Sequence, residues 1–63
     1  MLTESQRRQV PHLLNLVAGE IDVHPSFLVE AMQTYPICAN VVIDWVHGFA
    51  SKTEVVSVFS EVF

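Results

Sequence analysis

The chain has a single cysteine, Cys38, so no internal disulfide can form, although small domains often depend on such cross-links. It is also short of positive charge. Arg7, Arg8 and Lys52 are the only Lys or Arg residues against seven acidic ones, for a formal net charge of −4. Nucleic-acid binders gain affinity by neutralising phosphates with Lys and Arg, and three bases make too small a footprint. A helix-turn-helix reader is disfavoured on the same ground, because residues 25–48 contain no Arg or Lys to aim at base edges. An anionic membrane surface would likewise need basic residues along a polar helix face. The two glycines, Gly19 and Gly48, belong to no Gly-rich phosphate loop. Long apolar runs are missing too. The longest candidate, residues 37–50, is interrupted by Asn40, Asp44 and His47, whereas a membrane span needs about 20 mostly apolar residues. Residues 1–8, MLTESQRR, show no apolar stretch after a basic start, as an export signal would. With the unpaired cysteine, this leads to the expectation of a cytoplasmic protein. Met1 and the well-capped segments behind it lead to the expectation of a free-standing one.

What the chain does have is apolar mass. Of its 63 residues 51% are hydrophobic, and the mean hydropathy is +0.40, which argues against wholesale disorder. Residues 1–63 suffice for one small domain. A chain of this size buries only about 60% of the surface its unfolded form exposes, and such a core supplies roughly 3–5 kcal/mol. A partner subunit is one way to make up the difference.

Proline and glycine divide the chain at Val10-Pro11, between Gly19 and Pro25, at Tyr35-Pro36, and between Gly48 and Ser51. Val10, Leu13, Leu14, Val17, Ala18 and Ile21 share one helical arc, opposite His12, Asn15, Gly19 and Glu20. Continuing that helix backward puts Gln6 and Arg7 on the apolar side, and Pro11 lacks an N–H. The expectation is a helix over residues 10–19, preceded by a polar arm over residues 1–9. The alternative for the arm is a short helical turn capped by Thr3 with Gln6, which have the spacing of a capping box. A second helix is expected over residues 25–35, with Pro25 in its first turn and Tyr35 stopped by Pro36. The third, residues 36–48, carries the β-branched run Val41-Val42-Ile43, yet Asn40, Asp44, His47 and Ser51 recur at spacings of 4, 3 and 4, which are helical. Gly48 suits its C-terminal cap. The fourth, residues 51–63, opens on Ser51-Lys52-Thr53-Glu54, another capping-box pattern.

The third helix has the broadest apolar arc. Ile37, Cys38, Val41, Val42, Ile43, Trp45, Val46 and Phe49 cover roughly 200° at the helical repeat, against the stripe of somewhat over 100° that a small domain usually needs. That helix should be central, with Trp45 in mid-arc as a structural residue. The fourth helix lines up Val55, Val58, Phe59 and Val62, with Val56 and Phe63 on its flank. Valine is a mediocre helix former, so this helix depends on packing. The expected fold is therefore an all-α compact bundle of about four short helices, completed by homodimerisation. Val55, Val58, Phe59, Val62 and Phe63 are the expected dimer contacts.

Candidate chemistry is sparse. His12, His24, His47 and Cys38 show neither CxxC nor HxxxH spacing, so no metal or cofactor is expected. Asp44 and His47 share a face with Asn40, and with His12 they make the minor alternative of a metal-binding or enzymatic protein. Without a nucleophile or a further ligand nearby, a solvated polar strip is the better account of them, and no catalytic activity is expected. Cys38 on an apolar arc reads as inert packing, and His24 before Pro25 as part of a helix cap. Met32 and Tyr35, at a helix end beside Pro36, are the candidate partner contacts, since tyrosine is enriched in binding hot spots. The leading expectation is a small acidic protein-binding module. It would act as an inhibitor, anti-activator or adaptor of another protein, a DNA-binding regulator among the candidates, by occluding its surface. The alternative is a purely structural homo-oligomerisation module.

Overall fold

Thr3 starts the first helix. Its Oγ1 accepts from the Gln6 N–H at 3.1 Å, and the Gln6 Oε1 accepts from the Thr3 N–H at 2.8 Å, so both halves of the capping box form. The computed structural model describes residues 2–63, and among them the order is α1 (Glu4–Ile21), α2 (Pro25–Thr34), α3 (Pro36–His47) and α4 (Lys52–Val62), with no strand.

The helix α1 corrects the expected boundaries. Residues 4–9 are not an arm outside the helix, which runs unbroken through Pro11. Pro11 cannot donate to the Arg7 carbonyl, but both residues are exposed, so water can satisfy the orphaned oxygen. Gln6 and Val10 are half-buried and extend the line of Leu13, Leu14 and Val17 toward the N-terminus. The other end also lies further on than Gly19. Ile21 packs against the core, and Asp22, not a glycine, takes the left-handed cap conformation at φ 57°. The Val23 N–H then closes onto the Ala18 carbonyl at 3.1 Å.

The next two helices meet without a linker. His24 caps α2, its Nδ1 accepting from the Ser26 N–H at 3.1 Å. Tyr35 is both the C-cap of α2 and the N-cap of α3. Its N–H donates to the Ala31 carbonyl at 2.7 Å, and its own carbonyl accepts from the Cys38 N–H at 3.0 Å. At the far end Gly48 adopts φ 85°, where residues with a Cβ are disfavoured, and ends α3. Phe49 thus falls in the turn beyond α3 and is 80% exposed, rather than continuing its apolar arc as expected. The Ser51 hydroxyl caps α4, accepting from the Glu54 N–H at 3.3 Å.

All four helices supply the core: Leu14, Val17 and Ala18 from α1, Leu28 and Ala31 from α2, Cys38 and Val42 from α3, Val55 and Phe59 from α4. Every pair of helices touches, and α3 makes the most extensive contacts with the other three, as its broad apolar arc predicts. Trp45 packs against the core from its margin, half-buried. Among the described residues no polar or charged side chain is buried, so no desolvation penalty needs offsetting inside.

Two expected dimer contacts are thereby corrected. Val55 and Phe59 are 0% exposed in the single chain. Four residues apart, they lie on one face of α4 and close this chain's own core, leaving nothing for a second copy to cover. Val58 and Val62 are half-buried against the same cluster, and only Phe63 stays exposed. On α3, by contrast, Cys38 and Val42 alone are buried, while Ile37 is 58% exposed.

Candidate functional site

Phe27, Glu30 and Thr34 are spaced by three and four positions and so lie along one line of α2, with Ala31 beside them. Tyr35 ends that line. Val62 and Phe63, at the end of α4, come alongside from the other end of the sequence. Together these residues line an open groove of about 230 Å³. Its aromatic walls are accessible: Phe27 is 51% exposed, Tyr35 46% and Phe63 55%. Cofactor and small-molecule pockets usually hold about 300–1,000 Å³, so this open groove is smaller than an ordinary enclosed ligand pocket.

The structure brings together three residues that were singled out for different reasons, Tyr35 as a partner contact and Val62 and Phe63 as dimer contacts. It does not add Met32, which lies on the flank of α2 and packs half-buried against the core. Phe27, Glu30 and Thr34 escaped the sequence reading because Phe27 sits on the apolar side of α2 and passes for core. The mixed line Phe27-Glu30-Thr34, aromatic then polar at helical spacing, was the available signal.

Among the described residues, Glu30 is the only charged side chain lining the groove. Between Arg8 and Lys52 the sequence holds Glu20, Asp22, Glu30 and Asp44 and no Lys or Arg. Two of the three bases are already engaged: Arg8 Nη2 reaches Glu4 Oε1 at 3.1 Å, and Lys52 Nζ reaches Glu20 Oε1 at 3.1 Å. Both pairs are exposed and contribute little to stability.

The minor chemical alternative gains no geometry. Among the described residues no three His, Cys, Asp or Glu side chains gather as a metal site would require. The His47 ring meets Phe49 edge-on, with centroids 6.2 Å apart, and the Asp44 carbonyl accepts from the Gly48 and Phe49 N–H groups at the end of α3. Cys38 is buried, and that burial pushes its thiol pKa up, the reverse of what a nucleophilic thiolate needs. Among the described residues no helix is long and apolar enough to cross a membrane.

The groove and its four helices define a small all-α protein with an accessible aromatic cleft. In comparisons with known proteins, no family model matches the chain, and neither a curated protein nor a solved structure matches it.

Proposed function

We propose that the chain is a small acidic protein-binding module, an inhibitor, anti-activator or adaptor that occludes part of another protein, with DNA-binding regulators among its candidate targets. The observation that carries this reading is the convergence of Phe27, Tyr35 and Phe63 on one groove, each about half exposed. Aromatic side chains give large contact areas at low entropic cost and dominate binding hot spots. Covering them removes apolar surface from water, which stabilises a complex at roughly 25 cal/mol per Å² before the costs of association.

A second reading, self-assembly into a homodimer or a structural oligomer, is favoured by the uncovered apolar residues of α3, with Ile37 foremost. Photo-crosslinking in the source cell separates the two. A benzophenone side chain at position 27 is expected to capture a second polypeptide, and Tyr35→Asp is expected to abolish that capture. Capture of the protein's own chain from position 37, with none from position 27, would support self-assembly instead. Background labelling at both positions would remove both readings.

A further inference from the structure

If the groove receives another protein, its size, spacing and charge restrict what that protein can present. Peptides dock on folded domains by pairing with a sheet edge, by laying a polyproline segment on aromatic ridges, or by seating an amphipathic helix in a groove. The first mode is closed, because among the described residues there is no strand to pair with. Phe27 and Tyr35 lie eight residues apart at the two ends of α2, about 12 Å at a rise of 1.5 Å per residue. Anchors at positions i and i+7 of a helix are separated by about 10.5 Å. A helix lying along α2 can therefore seat one anchor beside Phe27 and another beside Tyr35, with Ala31 leaving room between them.

Charge selects among helices. Glu30 stands exposed in the groove, α2 carries no Lys or Arg to balance it, and Lys52, the only base of α4, lies at the other end of that helix from Val62 and is paired with Glu20. A second copy of this chain in a two-fold arrangement would bring Glu30 toward Glu30 and a net charge of −4 toward another −4. A segment bearing Lys or Arg beside its apolar anchors meets the opposite field. We infer that the groove formed by Phe27, Glu30, Thr34, Tyr35, Val62 and Phe63 is the docking site for a basic amphipathic helix of a partner protein. This deepens the protein-binding reading and rests on it.

Selection from a displayed library of random peptides of about 16 residues, enough for roughly 24 Å of helix, tests the inference. Wild-type protein is the bait, and Phe27→Ser, at an exposed position, serves for counter-selection. The enriched pool is expected to hold more Lys and Arg than Asp and Glu, with apolar residues at i, i+3 or i+4, and i+7. A synthetic peptide from that pool should bind wild-type protein with an affinity that falls roughly tenfold between about 0.05 M and about 0.3 M salt, as screening shortens the Debye length. Glu30→Lys should weaken the same peptide at least as much, with an unchanged circular dichroism spectrum. An enriched pool that is neutral or acidic, that lacks helical periodicity or that survives Phe27→Ser overturns the inference, as does a failure to enrich. Self-association that strengthens with salt and is abolished by Phe27→Ser would assign the groove to a second copy. A crosslink from position 27 to an acidic or neutral segment of another protein would overturn this inference alone and leave the protein-binding reading standing.

Discussion

Replacing Phe59 with alanine sets the fold against the interface account of α4. Phe59 is the largest of the fully buried side chains and belongs to a cluster fed by all four helices. Truncating a buried Phe to Ala typically costs about 3–5 kcal/mol through lost transfer energy and the cavity left behind. That is comparable to the roughly 3–5 kcal/mol that a core of this size supplies, so Phe59→Ala should be largely unfolded at room temperature. Phe59→Leu keeps most of the volume and should cost below about 1.5 kcal/mol, lowering Tm by up to roughly 12 °C at about 4–8 °C per kcal/mol. Far-ultraviolet circular dichroism during a thermal ramp reads both variants, and sedimentation equilibrium on the same samples reads their mass. Loss of helix in Phe59→Ala, with a cooperative but lowered melt in Phe59→Leu, is the expected pair. A Phe59→Ala protein that keeps its helical signal and its melt while changing only its mass would refute the packing described for α4.

Four further outcomes are expected. Iodoacetamide should modify Cys38 in the native protein at a rate set by unfolding, since the thiol is buried. Its pKa lies above the ordinary value of about 8.5 in the folded state. The unfolded chain therefore releases that proton first, and the Cys38 contribution to stability should be constant below about pH 8.5 and decline above it. Cys38→Ala should abolish that part of the alkaline decline in urea titrations. Gly48→Ala should lower stability by about 1 kcal/mol, because φ is 85° although the space around the position is open, and the urea midpoint reads the change. Pro11→Ala, at an exposed mid-helix position, should raise Tm by restoring the donor to the Arg7 carbonyl. An unchanged or lower Tm would show that α1 uses the proline.

Much of the helix pattern is legible in the sequence, because each boundary carries its own chemistry. Pro25 and Pro36 occupy first turns, Gly48 takes a positive φ, and Thr3 and Ser51 supply caps. Pro11 misleads for an equally physical reason: its cost is local, and an exposed carbonyl lets the helix run through. The wheel of α4 correctly shows an apolar face, but a wheel carries no information on whether that face meets its own chain or another. Val55 and Phe59 meet their own. The groove was legible only in fragments. Tyr35 announces itself beside Pro36, whereas Phe27 and Phe63 become neighbours only after residues 28–62 have folded.

The backbone at Tyr35 has a consequence for how this protein can vary. Both of its main-chain polar groups are committed, one to each helix, across a junction of a single residue. Nothing can be inserted or deleted there without turning α3 about its axis relative to α2, about 100° per residue, whereas the segment from Gly48 to Ser51 has slack to absorb a change of length. The side chain of Tyr35, by contrast, makes no cap bond and is 46% exposed. Position 35 thus pairs an invariant chain length with a replaceable side chain. A lineage could exchange that ring for another group, and so retune what the groove prefers, while the helices around it keep their positions.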